Sequence, residues 1–517
     1  GPVERLQANI IENLNLYAGN YADEFAPYLS KFTELIWQLL VTVPTQPKYD
    51  MLVTSAITFL RSVCTKRMNM SLFNDGILKQ IVEMIVVPNL TATEADEELW
   101  MLNPQDYIRK DIEGSDANTR RRCAMELVRG LLMYFGDKVT ELCLAHINTL
   151  LDLYTKSAGA NWQSKDAGLH LVLAVSVKAD TAAHGATDLN PAVNILDIFD
   201  KHVLPEVRDG DVNARPIVKA DTIKLLVTFR EHFQLPFMLD QVPHIIRHLS
   251  SEHVVLQTYA AMCIEKFLTV KDKTADGKHV QRLSKTHLQP HLEALFGGLF
   301  SVLENDELPE NDYVMKAIMR VLLLVGSDVA PIAALVLSKL TTSLQRVCAN
   351  PANPHFNHYL FEGLAVLVRN LCSDATEAGG AVANLEGHLF PPFQAVLGQN
   401  VIEFMPYVFQ VLAQMLYFRP TKGLSDAYRA LFPPLLDKDL WDSKGNVPAL
   451  TELFRAYIAK GSAELVQMGH LNAILGVFQK LLSSRTTEQY DPGPNPNPNP
   501  NPNPNPNPNP NPNPNPN

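Results

Sequence analysis

Apolar residues recur at helical spacing along nearly the whole chain. Val53, Ile57, Leu60 and Cys64, for example, fall on one stripe of a helix, with polar residues between them. Runs of alternating apolar and polar residues closed by Asn-Gly or Asp-Gly turns, the pattern of β-hairpins, are nearly absent. The pattern therefore predicts an all-α protein.

The helical segments come in pairs separated by short breaks, with a period of about 40 to 50 residues typical of HEAT and armadillo repeats. Such hairpins cannot bury their own apolar faces, so stacked neighbours share one continuous core. We predict a right-handed α-solenoid of about ten HEAT-type hairpins rather than an array of four-helix bundles. The predicted hairpins begin near residues 3, 48, 116, 161, 215, 252, 311, 354, 400 and 447.

Two polar segments interrupt the repeats. Residues 93–115 form an acidic insertion, with eight carboxylates from Glu94 to Asp116 against Arg109 and Lys110. Residues 271–287 form a basic insertion, and either a solvated loop or a binding loop would account for it. Insertions of a solenoid commonly project from one face, which is often the binding face.

Composition narrows the class of function. The formal net charge is -11 and the pI about 5.8, which argues against direct nucleic-acid binding. The six cysteines form no C-x-x-C pair and lie in apolar helical patterns, as expected for buried, reduced thiols of an intracellular protein. The charge-free apolar runs are shorter than a bilayer span, so we predict no membrane association.

Both ends of the chain resemble artificial additions. Gly1-Pro2 matches what a tag-removing protease leaves behind, and 486–517 leads into an Asn-Pro alternation that predicts a disordered or extended tail. The remaining division is HEAT hairpins over 3–92, the acidic insertion over 93–115, and HEAT hairpins over 116–485.

Catalytic and metal-binding patterns are weak. The pairs His244/His248, His287/His291 and His355/His358 have metal-ligand spacing, but no third ligand or general base accompanies them, which favours surface or core histidines. No phosphate-binding loop or nucleophile elbow occurs in the sequence. We predict a protein that is not an enzyme and has no cofactor.

The stretch "DIEGSDANTRRRCAMELVRGL" combines a charged segment with the start of a helix. Asp116 stands where an N-cap belongs, and Arg120, Arg121 and Arg122 precede an apolar stripe. The arginines would pair with carboxylates of this or a neighbouring repeat. Alternatively, they belong to a charged interaction loop together with the insertion.

This stretch also resembles a signature segment of the CAS family, the HEAT-repeat exportins that return importin-α from nucleus to cytoplasm. Further segments resemble the same family in the same order: "VKADTIK", "YVMKAIMR", "PHFNHYLFE", "EFMPYVFQV" and "LGVFQKLL". The resemblance covers residues 3 to 485. Since family members are about twice as long, it implies a central fragment.

The resemblance also implies partners. Family members bind importin-α cooperatively with the small GTPase Ran in its GTP form, and FG-repeat nucleoporins are further partners during shuttling between nucleus and cytoplasm. The insertion would lie in a hinge region, with Asp111, Glu113, Asp116, Arg120, Arg121 and Arg122 as candidates for partner binding or hinge action. Residues 354 to 436 match a second, distal Ran contact, with Glu386, Glu403 and Asp426 as candidates.

A second function from a different class fits the same repeats. A static HEAT scaffold that organises an enzyme complex, as a phosphatase scaffold subunit does, would show the same periodicity without a transport cycle. Such a scaffold would bind a phosphatase catalytic subunit without GTP.

Overall fold

The computed structural model describes residues 1–113, 119–373, 378–420 and 423–483. The contacts divide the chain into two units, Gly1–Pro420 and Thr421–Asn517. Each predicted hairpin start lies within five residues of the first residue of a helix. In the first unit the helices are α1 (Pro2–Asn20), α2 (Ala22–Thr42), α3 (Asp50–Cys64), α4 (Asp75–Gln80), α5 (Val87–Leu90), α6 (Glu94–Leu102), α7 (Pro104–Ile108), α8 (Arg120–Lys156), α9 (Trp162–Ser176), α10 (Ile195–Ile198), α11 (Leu204–Arg208), α12 (Pro216–Thr228), α13 (Leu235–His248), α14 (Val254–Phe267), α15 (Lys285–Leu288), α16 (Leu292–Leu303), α17 (Asp312–Val325), α18 (Ala333–Ala349), α19 (Pro354–Cys372), α20 (Ala378–Gly398) and α21 (Met405–Phe418).

The first helices of successive hairpins stack in chain order and carry the core of this unit. Helix α3 packs between α1 and α8, and the series continues through α9, α12, α14, α17, α19 and α21. Their central residues, such as Leu127, Leu171, Ile223 and Ile318, are completely buried because each helix has a neighbour on both sides. The stack brings together side chains that are many residues apart in sequence.

One helix bends and another ends where the sequence places a glycine. Helix α8 has non-helical dihedral angles at Phe135, directly before Gly136, so it consists of two helical segments joined at a kink. Helix α17 ends at Gly326, whose φ is +58°. Glycine adopts that conformation without the strain that a β-carbon would cause.

Several helix starts have a capping side chain. Asn311 caps α17, because its side-chain oxygen accepts from the backbone N–H of Val314. The N-cap of α8, however, is Thr119, whose hydroxyl accepts from the N–H of Arg122, so the expectation for Asp116 was wrong. The N-cap of α14 is His253, whose backbone N–H donates to the Ser251 hydroxyl.

Two antiparallel β-hairpins are the departure from the all-helical prediction. The first pairs β1 (Val177–Thr181) with β2 (Gly185–Leu189), and the second pairs β3 (Lys271–Lys273) with β4 (His279–Gln281). The second hairpin is the basic insertion. Both are too short to show a clear period of two, which is why the sequence pattern did not predict them.

The second unit, described over 423–483, consists of α22 (Asp426–Leu431), α23 (Lys438–Asp442), α24 (Val447–Gln467) and α25 (Leu471–Ser483). Its core is aromatic: the ring centroid of Phe454 lies 4.9 Å from that of Trp441 and 5.3 Å from that of Phe432. Helix α24 bends at Gly461, where a β-carbon would lie 2.5 Å from the Leu424 side chain.

By length and composition, one helical stretch among the described residues could cross a membrane, Asp312–Ala349, with a mean hydropathy of 2.1. It comprises α17, a short 3₁₀ segment and α18, so it is interrupted rather than one continuous helix. Its α17 residues Val314, Ile318 and Leu322 pack inside the stack. Apolar core helices commonly meet the same criterion.

The cysteines agree with the prediction of buried thiols. All six are free, five of them are buried, and Cys348 is half-buried. Burial raises the pKa of the Cys64 thiol to about 12, so it stays protonated at neutral pH.

Candidate functional site

The three consecutive arginines at the start of α8 point in different directions, because successive residues of a helix are separated by about 100°. The Nε of Arg120 lies 2.6 Å from Oδ1 of Asp50, the first residue of α3, and its guanidinium also donates to the Gln46 carbonyl at 3.0 Å. Arg122, by contrast, is exposed. Arg120 therefore ties α8 to the preceding repeat.

Arg121 points in the other direction, toward the following repeat. Its Nη2 lies 2.8 Å from Oδ2 of Asp166 on α9, and its Nε donates to the Leu90 carbonyl at 3.1 Å. Asp166 is completely buried, and the Arg121 side chain is only 18% exposed. The prediction that these arginines pair with carboxylates of neighbouring repeats is confirmed for Arg120 and Arg121.

Behind Arg121 lies a buried charge cluster formed by Asp166, His170 and Asp221. Their ligand atoms all lie within 4.8 Å of one another, and Oδ1 of Asp166 and Oδ2 of Asp221 have no hydrogen-bond partner among the described residues. Asp166 and His170 are one helical turn apart on α9, and Asp221 comes from α12. The cluster thus joins α9 to α12, and the ion pair of Arg121 with Asp166 connects it to α8.

Burial and charge set opposite protonation states in this cluster. Burial, reinforced by the neighbouring Asp166 carboxylate, raises the pKa of Asp221 well above its usual range. Burial also opposes ionisation of Asp166, but Arg121 and His170 outweigh it and hold the pKa of Asp166 below its usual value. Burial and the nearby Arg121 charge lower the pKa of His170. Asp221 is therefore the member that keeps a proton.

The cluster resembles a metal site in its residue types but already contains a cation. The Nη1 of Arg121 lies 3.5 Å from Nε2 of His170, in addition to its ion pair with Asp166. A divalent ion would meet that guanidinium at close range, and like charges at such distances repel strongly. The arrangement suits an internal ion pair with a proton on Asp221 better than it suits a bound metal.

The acidic insertion folds back onto the stack. Helix α7 packs against α14, and the ring of Trp100 lies 5.0 Å from that of Tyr107, edge to face. Asp111, in the π-helical turn Arg109–Glu113, lies 2.6 Å from Nζ of Lys224 on α12 and accepts a hydrogen bond from the Tyr259 hydroxyl on α14. We refer to these contacts of Asp111 as the insertion latch.

The latch carboxylate is ionised although it is enclosed. Burial opposes its charge, but Lys224 and His170 outweigh burial and hold the pKa of Asp111 well below its usual value. Among the other hinge candidates, Glu113 ends the same turn, and Asp116 lies outside the described residues. The structure therefore brings Asp111 and Arg121 to one region, where both adjoin His170.

The three candidates for the distal Ran contact have different environments. Glu386 on α20 accepts two hydrogen bonds of 2.8 Å from Arg419 and is 13% exposed. Glu403 is exposed, in the turn before α21. In the second unit, Asp426 is 98% exposed and lies 2.7 Å from Arg429. Glu403 and Asp426 are accessible to a partner, whereas Glu386 is engaged within the repeat.

The histidine pairs have structural surroundings, as the sequence favoured. His248 is buried, with Nε2 3.0 Å from the Val207 carbonyl, and burial lowers its pKa to about 4. Nδ1 of His287 accepts from the backbone N–H of Ser284. Nδ1 of His358 lies 3.2 Å from the Tyr407 hydroxyl.

Sequence reasoning missed Asp166, His170, Asp221 and Lys224, although a signal was present. In the segments "SKDAGLHLVLAV" and "PIVKADTIKLLV", ionisable residues stand inside helices that are otherwise almost entirely apolar. A charge at such a position is buried and needs a partner. The sequence could have identified them as a buried network, but not their partners.

Comparison with known proteins agrees with this architecture. The family model described as "Cse1" matches residues 1–264, and "CAS/CSE protein, C-terminus" matches 265–491. Exportin-2 of Danio rerio is 40% identical over 491 residues, which is 94% of this chain and 50% of the relative. Exportin-2 of Homo sapiens is 39% identical with the same coverage. The chain therefore spans about half the length of the curated relatives that it matches.

Solved structures of nuclear transport receptors also resemble this chain. The structure titled "The exportin Cse1 in its cargo-free, cytoplasmic state" has a TM-score of 0.77 and 30% identity, covering 93% of this chain and 49% of that one. Yeast importin-β (Kap95p), at 14% identity and a TM-score of 0.56 over 93% of this chain and 52% of its own, shares the fold. The stacked hairpins are thus those of the karyopherins, the HEAT-repeat solenoids of nuclear transport.

Within that class, the chain belongs to the Cse1 (CAS) exportin family. The resemblance noted in the sequence is confirmed, as is the HEAT-solenoid fold class. The relatives are transport receptors rather than enzymes, which confirms the prediction of a non-enzymatic protein. The static phosphatase-type scaffold is not supported.

Proposed function

We propose that this chain is the central part of a nuclear export receptor that binds importin-α together with Ran-GTP and carries it from nucleus to cytoplasm. The observation that carries this proposal is the match of both family models, in order, over residues 1–491. The receptor shuttles through nuclear pores, where FG-repeat nucleoporins are its further partners. The acidic surface, with a net charge of -11, favours basic partner segments.

Within this function, Arg120, Arg121 and Asp111 act as hinge residues. Arg120 joins α3 to α8, Arg121 joins α8 to α9, and the insertion latch reaches α12 and α14. A change in curvature rotates each repeat against its neighbour, and close ion pairs at repeat boundaries have to break or shift when that happens. The network therefore favours one curvature over others.

The energetic scale agrees with such a role. Cooperative binding of two partners requires that both favour the same curvature, with a coupling free energy of typically ~1–3 kcal/mol. The loss of one charge-assisted hydrogen bond costs about 1.5–3 kcal/mol. A change in the insertion latch alone would thus be large enough to alter cooperativity.

A pull-down with importin-α tests the transport function. The full-length receptor should retain importin-α when Ran is loaded with GTP and not when it is loaded with GDP. The 517-residue chain, assayed in parallel, shows which part of that binding the central repeats supply. GTP-independent capture of a phosphatase catalytic subunit, without importin-α, would contradict the proposal.

Asp426 offers a test of the distal Ran contact with a matched control. Asp426 and Asp442 are both exposed aspartates of the second unit, and each pairs with a cation, Arg429 and Lys480 respectively. Asp426→Lys in the full-length receptor should weaken Ran-GTP binding, whereas Asp442→Lys should not. Equal effects of both substitutions would remove Asp426 from the contact.

A further inference from the structure

An open cleft of about 700 Å³ lies on the first unit beside the insertion latch. Its walls come from α8, α9, α12, α14 and α17, together with the turn Arg109–Glu113 and the β1–β2 hairpin. Clefts that hold ligands commonly have volumes of ~300–1,000 Å³. The size therefore suits a short peptide segment rather than a folded domain.

The charge of this cleft is opposite to that of the chain. Among the described residues, eight lysine and arginine side chains line it against four carboxylates, in a protein whose net charge is -11. We call it the basic cleft. A concave surface lined mainly by one sign of charge focuses its potential and attracts the opposite sign. The basic cleft is thus a local exception, and it favours an acidic ligand.

The wall formed by α14 and α17 carries more positive than negative side chains. There the Glu265 carboxylate, only 4% exposed, lies 3.5 Å from Lys266, 3.9 Å from Lys316 and 3.5 Å from Arg320. One carboxylate is thus surrounded by three cationic side chains. The Lys266 and Lys316 side chains are about one quarter exposed and line the cleft, so they can reach a bound anion.

The wall formed by α8 and the β1–β2 hairpin contains two carboxylates besides its arginines. Arg129 lies 2.9 Å from Glu126 and 3.4 Å from Asp180, and Glu126 also pairs with Arg61. A ligand with an uninterrupted row of negative charges would be repelled by these carboxylates. A ligand with separated negative charges can place them at the lysines and avoid this wall.

This distribution favours an acidic peptide over a nucleic acid. Proteins that bind single strands combine a basic groove with several aromatic side chains on which bases stack. Tyr313 is the single Phe, Tyr or Trp that the described residues contribute to the cleft lining. A peptide instead offers carboxylates at intervals and needs no stacking surface.

We propose that the basic cleft is a docking site for a short acidic peptide segment of a partner protein, whose carboxylates pair with Lys266 and Lys316. The site differs in sign from the acidic surface that suits basic cargo segments. The proposal does not depend on importin-α or Ran, so it can fail while the export function stands, and the reverse also holds.

The test is fluorescence anisotropy of the 517-residue chain with a labelled eight-residue peptide of Asp, Glu and Gly. The same peptide with Asn and Gln in place of Asp and Glu, and a labelled single-stranded oligonucleotide, complete the set of probes. The cleft variant is Lys266→Ala/Lys316→Ala. The matched control is Lys285→Ala/Lys339→Ala, two lysines that pair with carboxylates outside the cleft.

The acidic peptide should bind, and its Kd should rise at least fivefold in the cleft variant and less than twofold in the control. Binding should also weaken with added salt, because it is electrostatic. The amide peptide should not bind. Failure of the acidic peptide to bind at low salt, equal weakening in both variants, or preferential binding of the oligonucleotide would each overturn the proposal. Circular dichroism of both variants distinguishes lost binding from lost folding.

Discussion

Arg121 and Arg122 are adjacent residues of one type in opposite environments, which allows a sharp test of the buried charge cluster. Arg121→Gln removes the cation that faces the completely buried Asp166 at 2.8 Å. Arg122→Gln removes a guanidinium from an exposed side chain. Both variants lose the same formal charge, so a difference between them reports the environment alone.

The expected cost for Arg121 follows from the burial of its partner. Breaking a buried ion pair by removing one member costs about 3–5 kcal/mol, since the other charge is left uncompensated. Because the Arg121 side chain is 18% exposed and glutamine can still donate a hydrogen bond, we expect a loss at the lower end of this range. A loss of about 3 kcal/mol is on the order of a hundredfold in the local opening equilibrium. The Arg122 variant should lose about 1 kcal/mol or less, because interactions of an exposed side chain are weak.

Hydrogen exchange is the appropriate assay, because repeat arrays open locally and do not unfold in one step. Amides of α9 (Trp162–Ser176) should exchange much faster in Arg121→Gln, while those of α19 (Pro354–Cys372) should not change. The double variant Arg121→Gln/Asp166→Asn should recover much of the loss, because it removes both charges. Equal exchange in the Arg121 and Arg122 variants would refute the reasoning.

The same experiment has a pH dependence whose sign is fixed. In the native protein Arg121 holds the pKa of Asp166 low, although burial opposes its charge. The ionised Asp166 therefore adds to the free energy of unfolding above about pH 3.9, the pKa of an unfolded aspartate. This stabilisation is lost as the pH falls through the pKa of Asp166 in the folded protein. Without Arg121, burial would raise the folded pKa above 3.9, and stability would then decline as pH rises. The deficit of Arg121→Gln should therefore be larger at pH 7 than at pH 5.

Three further predictions address neighbouring features. Asp111→Asn should accelerate amide exchange in the turn Arg109–Glu113 about tenfold, because Lys224 loses the carboxylate that lies 2.6 Å from it. A uniform change in exchange along the chain would contradict this prediction. Burial and an adjacent carboxylate raise the pKa of Asp221 in the folded protein. Its protonated form therefore stabilises the fold fully below about pH 3.9, and this stabilisation is lost as the pH rises toward the pKa of Asp221 in the folded protein. Asp221→Asn imitates the neutral acid and should make the opening free energy of α12, measured by amide exchange, less sensitive to pH between 5 and 7. Parallel pH profiles of the two proteins would argue against a proton on Asp221. Gly185→Ala would place a β-carbon 2.3 Å from the Thr228 carbonyl oxygen and should make the first β-hairpin sensitive to proteolysis. The control is Gly277→Ala in the second hairpin, where φ is similar but no atom lies within 4 Å of the added β-carbon. This control should have a smaller effect on its own hairpin.

Much of the repeat architecture could be predicted because it is local in origin. The spacing of apolar residues within each helix repeats in every hairpin, and glycines such as Gly136 and Gly326 mark where helices bend or end. The N-cap of α8 was assigned to Asp116 instead of Thr119, since both residue types can cap and only the backbone path selects between them.

The charge cluster could be predicted only in part. The sequence predicted that the three arginines pair with carboxylates of this or a neighbouring repeat, with a charged interaction loop as the alternative, and the structure confirms the pairing for Arg120 and Arg121. The sequence could not show that Asp111 reaches Tyr259, a partner 148 positions away, or that Glu265 sits among three cations. Those contacts depend on the rotation between successive repeats.

The sequence by itself thus determined the helices, their pairing into hairpins and the family to which the chain belongs. Each of these depends on residues that are near one another in the chain or on collinear motifs. The tertiary structure decided which carboxylate meets which cation, that Asp221 is the acid that keeps its proton, and that a basic cleft exists on an acidic protein. The physical reason is that stacking sets the distances between first helices, and both Coulomb energy and the cost of burial depend on those distances.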